Sequence, residues 1–184
     1  MCYRLQILFI IFSLILPLFG FGLHDLQELK QENIQGKFTQ HKSIVGFPNE
    51  LTSEGSFQIK QQTLYWNVHK PIQSHIKINQ QGIFEYKDSQ WIQQTKNYDK
   101  GLFLDIITFN IDNLQKNFTM NLQGDKTQWE LTLQPKNIWL QKIFTSIKIS
   151  GAKTIHQIIL EEKNGDTTRN VFYQIATQTS TNKA

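Results

Sequence analysis

From about Gly36 onward, apolar and polar residues alternate with a period of two. Leu51, Ser53, Gly55, Phe57 and Ile59 alternate with Thr52, Glu54, Ser56, Gln58 and Lys60. Leu64, Trp66 and Val68 alternate with Tyr65, Asn67 and His69, and Ser74, Ile76 and Ile78 with His75, Lys77 and Asn79. Further on, Phe118, Met120 and Leu122, then Trp129, Leu131 and Leu133, then Ile147 and Ile149 mark apolar faces. A less regular strand runs from Ile155 to Leu160, and Val171, Tyr173 and Ile175 mark the last face. Strands with one buried and one wet face are the usual state of an antiparallel sheet. Turn signals separate the runs at Gln81-Gly82, Lys87-Asp88-Ser89, Gly124-Asp125 and Asn164-Gly165-Asp166. The pattern predicts about ten strands, enough for a twisted sheet to curl around its apolar face.

Two segments break the alternation. Leu23 to Asn33 carries apolar residues at helical spacing and predicts an amphipathic helix. Asp99 to Ile111 is too apolar for a surface loop; Asp99 is positioned to cap a helix there, and Asp112 to start another short turn. The second segment must lie on something apolar, and the inner face of the curled sheet is the available surface. The expected fold is mainly β with short helices: an unclosed antiparallel β half-barrel with a helical lid. Pattern alone leaves two readings of its interior, a closed core filled by its own side chains or a cavity that a ligand occupies.

The N-terminus changes the picture of where the protein works. Arg4 gives a short basic start, and Leu5 to Leu16 is almost wholly apolar up to Pro17. Gly20-Phe21-Gly22 then sets small residues around a large one, as signal peptidases prefer. The apolar core falls short of the roughly 18 to 20 residues that span a bilayer comfortably. That favours a cleaved leader over an uncleaved anchor. The expected organisation is a leader over 1–22, one β half-barrel domain over 23–176 and a polar tail over 177–184. Cys2 precedes the apolar run, so it is not a lipidation site and would leave with the leader. The mature chain would then hold no cysteine for a disulfide, a nucleophile or a metal.

The formal charge of +4 falls by the one charge of Arg4, to about +3, when the leader is removed. The basic residues are scattered among acids, unlike the stripe a nucleic-acid binder gathers. His24, His41, His69, His75 and His156 form no pair at zinc-ligand spacing, and His69 and His75 fall on the wet side of their strands. The chain contains no Gly-x-Ser-x-Gly elbow and no nucleotide-binding glycine loop. Asp125 and Asp166 follow glycines, where turn chemistry accounts for them.

Several short pieces, in order, resemble the LolA-like family of periplasmic carriers of outer-membrane lipoproteins. Gly36-Lys37-Phe38-Thr39-Gln40 is similar to the family's opening strand with its Phe-x-Gln. Gly55 to Lys60, then Leu64-Tyr65-Trp66 and Pro71, follows its order of glycine, strand, aromatic–Trp and proline. Gln81 to Tyr86 resembles its glycine hairpin, Leu131 to Lys136 its Leu-Thr-Pro-Lys segment, and Thr154 to Gln157 with Glu161 and Gly165-Asp166 its late hairpin. The resemblance implies an unclosed barrel with a lid, and so a cavity rather than a closed core.

It also implies a periplasmic lipid carrier without cofactor or catalysis. Such a carrier would shuttle lipoproteins from the inner to the outer membrane as a monomer, with no part in nucleic-acid binding. Its partners would be lipoprotein acyl chains or a related lipid, an inner-membrane loading or export complex and an outer-membrane acceptor. The alternatives are a carrier or sensor of another lipid serving an envelope export system, or a scaffold that adds its sheet edge to a partner. The expected cavity wall is Phe38, Phe57, Ile59, Leu64, Trp66, Ile76, Ile78, Phe84, Trp129, Leu131, Leu133, Ile147 and Ile149. The expected lid residues are Leu102, Phe103, Ile106 and Ile107. One departure stands out: the family has a lid-controlling arginine just before its aromatic–Trp segment. Here Lys60-Gln61-Gln62-Thr63 stands in that place, one residue shorter, with uncharged Gln61 nearest to it.

Overall fold

Each alternating run becomes a strand, and tight turns hold neighbouring strands antiparallel. The computed structural model describes residues 20–29, 33–94 and 101–177. The strands are β1 (Ile34–Ser43), β2 (Leu51–Lys60), β3 (Thr63–Lys70), β4 (Ser74–Asn79), β5 (Gly82–Lys87) and β6 (Gln90–Gln93). After two helices come β7 (Phe118–Asp125), β8 (Gln128–Pro135), β9 (Phe144–Gly151), β10 (Ile155–Glu162) and β11 (Thr167–Thr177). They form one eleven-stranded sheet in the order β6-β5-β4-β3-β2-β1-β11-β10-β9-β8-β7. The order is a meander closed by the long pairing of β1 with β11. Strands β6 and β7 stay unpaired with each other, so the barrel is open along one side.

Four short helices accompany the sheet: α1 (Leu23–Glu28), α2 (Leu102–Ile107), α3 (Ile111–Asn117) and α4 (Ile138–Gln141). Helix α1 starts at Gly22, whose N–H donates to the Asp25 carboxylate at 2.8 Å. The predicted helix extends to Asn33; residues 30–32 lie outside the described ones, as do residues 1–19 of the expected leader, Asp99 and residues 178–184. Helices α2 and α3 link the two edge strands and lie over the concave face. Leu104, Ile106, Ile107, Phe109, Ile111 and Leu114 join the sheet's apolar residues in one buried cluster. Helix α4, unforeseen in the pattern, is a single turn whose Asn137 cap accepts from the Leu140 N–H at 2.8 Å.

Bulges reset the alternation twice. Gln174 takes φ +52° opposite the shift between Gln35 and Lys37, so Phe172 and Ile175 both pack on the core. Tyr173, expected on the buried face, is 39% exposed. A second shift, between Ile155 and Gln157, places Ile155 and Ile158 together inside.

Candidate functional site

The concave face is built from cross-strand pairs. Phe57 stands opposite Trp66 and Ile59 opposite Leu64, while Trp66 and Leu64 face Ile76 and Ile78 on the next strand. On the far wing Leu131 pairs with Ile149 and Leu133 with Ile147. Directly opposed residues share a face, so two apolar wings form on either side of β1 and β11. Phe38 stacks on Trp66 with ring centroids 3.7 Å apart, and Phe172 meets Trp66 and Phe57 edge-on at 6.1 and 5.3 Å. Gly55 makes room for this stack: a Cβ there would sit 2.5 Å from Phe38 Cζ and 2.1 Å from the Asn67 carbonyl oxygen. Trp129 anchors the other wing, donating from Nε1 to the Ala152 carbonyl at 2.7 Å.

Helix α2 spans the four expected lid residues. Leu102, Ile106 and Ile107 are buried, and Phe103 turns its ring edge onto Trp66 at 5.7 Å. Phe109, just past α2, meets Trp129 edge-on at 5.3 Å. The lid therefore touches one tryptophan on each wing. Twelve of the thirteen expected wall residues face the interior, Ile76 only partly buried among them. Phe84 does not. Asn79 and Gly82 close a two-residue turn, which pairs Ile78 with Ile83 and Lys77 with Phe84. Ile83 thus takes the inner place, and Phe84 lies outside with the Lys77 ammonium 4.7 Å from its ring centroid. Phe109, Phe172, Ile158 and Leu114 complete the interior and were absent from the expected wall.

Two recesses border the lid. The apolar one, with only about 20 Å³ of free volume, is lined by Leu29, Ile34, Phe57, Ile107, Phe109, Thr154, Ile155, Phe172 and Ile175. That volume is far below the roughly 300–1,000 Å³ typical of ligand pockets, so the interior is almost filled by its own side chains. The second recess is larger, about 480 Å³, and mixed in character, with Gln61, Gln62, Asn79, Gln80, Asp105, Thr108, Asn110 and Asn113 beside Ile59 and Leu104. Gln61 and Gln62 form the β2–β3 turn with φ of +49° and +57°. Gln61 thus does face the lid, across this recess, and offers hydrogen bonds rather than charge. Asp105 organises the lid's own end by accepting from Asn110 Nδ2 at 2.8 Å and Asn113 Nδ2 at 3.3 Å. The expected wet histidines are on the convex face, His69 beside Ser56 Oγ at 3.2 Å and His75 beside Asn67 Oδ1 at 2.9 Å.

Helix α1 is held from the side. Lys126, in the β7–β8 turn, reaches Asp25 at 2.9 Å. That hydrogen bond, then the Gly22 N–H, holds the Asp25 carboxyl below the usual carboxylate range, and the Asp25 contact raises the Lys126 ammonium. On the convex face Glu161 is lowered by Ser146 and Lys148, which donate at 2.6 and 2.9 Å.

No known family's sequence pattern matches the chain, and no curated protein matches it by sequence. Solved structures do match. A LolA superfamily protein from Nitrosomonas europaea aligns over 87% of this chain and 95% of that chain, with a TM-score of 0.51 and 10% identity. The fold is LolA-like. LprF from Mycobacterium bovis aligns more loosely, at TM-score 0.43 and 12% identity over 86% of this chain and 92% of that one. A DUF1329 family protein from Desulfovibrio piger also scores 0.43, at 10% identity over 86% and 91%. At these identities the likeness concerns architecture: the LolA-like sheet is β1 to β11, left open between β6 and β7 and covered by α2 and α3.

Proposed function

We propose that this chain is a periplasmic, non-enzymatic carrier that takes acyl chains of lipoproteins, or of a related lipid, against its concave face. The observation that carries the reading is the lid: α2 is six residues long, yet it buries four large aliphatic side chains against a continuous apolar wall. Exposing a sixteen-carbon chain to water costs on the order of 10 kcal/mol, so lipid crossing an aqueous compartment requires a container. The existing apolar recess is small for such a chain, so cargo enters by taking the place of α2. Loading by an inner-membrane complex and unloading to an outer-membrane acceptor then follow affinity differences rather than a nucleotide-driven step of this chain.

A second reading, another lipid as cargo, is favoured by the recess beside α2. Among the described residues its lining holds no arginine or lysine and faces the lid through carboxamides such as Gln61. Native mass spectrometry of the purified protein, before and after mild organic extraction, tests both. A removable mass is expected, and its value distinguishes a triacylated peptide from a simpler lipid. A clean mass that persists after incubation with lipoprotein and with free fatty acid would sink the carrier reading.

A further inference from the structure

Antiparallel meandering places the β1–β2, β3–β4, β5–β6, β8–β9 and β10–β11 connections at one end of the barrel, away from α1. Hydrogen bonds tie three of them together: the Val45 N–H donates to Asp166 Oδ1 at 2.9 Å, and the Lys163 N–H to the Ile143 carbonyl at 2.8 Å. The tips of the β1–β2, β3–β4 and β8–β9 loops are apolar and bare, while those of β5–β6 and β10–β11 are polar. Val45, Phe47, Ile72, Ile138 and Trp139 are 65 to 79% exposed, and no other large apolar side chain among the described residues exceeds the 57% of Leu51. The opposite end turns on Gln61-Gln62, Gln80-Gln81 and Asp125-Lys126-Thr127, all polar.

Lysines accompany the tips. Residues 136–143 hold Lys136 and Lys142 and no acid, and the Lys142 ammonium lies 5.4 Å from the Trp139 ring centroid. Lys42 pairs with Glu162 and Lys70 with Glu54, but among the described residues no carboxylate pairs with Lys136, Lys142 or Lys163.

We infer that this rim docks the protein on an anionic lipid bilayer. Apolar side chains carried singly on separate tips offer little continuous surface to a rigid partner, whereas each can enter a fluid interface alone. Trp139 suits the headgroup level, where an amphipathic ring and a neighbouring ammonium are both satisfied. Lys136, which donates to the Gln115 carbonyl at 2.8 Å, and Lys142 flank α4 and can then face lipid phosphates. The inference stands apart from the carrier reading, because the recess under α2 plays no part in it.

The test is co-sedimentation with vesicles of phosphatidylethanolamine and phosphatidylglycerol, and with phosphatidylcholine alone. It uses the chain as recovered from an exporting cell, its N-terminus fixed by intact mass. Binding to the anionic vesicles is expected, weakening with salt. Phe47→Ser and Trp139→Ser should each lower the partition coefficient about tenfold, and Lys136→Glu with Lys142→Glu should remove the preference for anionic lipid. All four sites are exposed, so unchanged thermal melts verify folding. Equal binding by wild type and the serine variants would overturn the inference and assign any affinity to another segment. So would no vesicle binding together with a concentration-dependent dimer that Trp139→Ser abolishes, which would make the rim a self-association surface. Native mass spectrometry of the same variants reads cargo separately, so failure of docking and failure of the carrier reading remain distinguishable.

Discussion

At the scale of single residues, the site depends on a missing side chain. Phe38 can lie flat on Trp66 only because Gly55 has no Cβ, and the backbone of β3 closes the other side of that glycine. An added methyl cannot be absorbed by a flexible neighbour, since the nearest atom is the Asn67 carbonyl oxygen. Gly55→Ala is therefore expected to cost about 1–3 kcal/mol or more, read as a lower urea midpoint; wild-type stability would mean the strands part easily here. Phe103 provides the complementary case on the lid. It is partly buried and touches Trp66 from outside the sheet, so Phe103→Asp should leave the sheet folded and weaken acyl retention about tenfold. Full retention by that folded variant would remove Phe103 from the site. Most wall residues were legible because alternation identifies a face without knowing the fold. Phe84 was not, because the face in a hairpin follows from where the turn falls, and alternation alone does not place the turn. With Gln80-Gln81 as the turn, Ile83 must oppose Ile78, and a one-residue slip exchanges inside for outside.

At the scale of elements, local chemistry and tertiary contacts divide the credit. The apolar run after Gly101 predicts α2 well, since a segment of such composition needs a surface to cover. The fraying of β11 into two phases was hidden, because nothing in Tyr173-Gln174-Ile175 announces a left-handed residue; the bulge is imposed by pairing with β1. Helix α4 was too short for periodicity to reveal. Helix α1 is held partly by charge, and this makes a pH prediction. Asp25 has its carboxyl held low by Lys126 first and Gly22 second. A lowered carboxyl stabilises the folded form above its unfolded value of about 3.9, and that contribution disappears as pH falls through the lower folded value. Amide exchange at Gly22 and Leu26 should therefore accelerate below about pH 4 relative to the strands. Asp25→Asn should show that faster exchange already at neutral pH, with little further change on acidification. High salt should narrow the difference, since the pair is solvent-exposed. Identical pH profiles for the two proteins would show that packing of Leu26, not the ion pair, holds α1.

At the scale of the whole molecule, an open barrel must hide an apolar face without closing its own edges. The strands solve half of the problem by curling, and α2 with Phe109 solves the rest by bridging Trp66 on one wing to Trp129 on the other. The four buried aliphatic side chains of α2 contribute about 6–12 kcal/mol of burial at about 1.5–3 kcal/mol each. That is close to the order of 10 kcal/mol for hiding one long acyl chain, so in the proposed carrier helix and cargo would be near-equal competitors for one surface. A carrier needs this balance, because a much stronger lid would refuse cargo and a much weaker one would leave the empty protein prone to aggregate. The competition has a measurable consequence. Hydrogen exchange on loading should rise at the amides that hold α2, Asp105 donating to the Gly101 carbonyl and Thr108 to that of Leu104. The amides of Trp66, Leu131 and Ile149, in strands that move little, should stay protected. If α2 became more protected on loading, the chain would be binding its lipid elsewhere and the helix would be a structural plug.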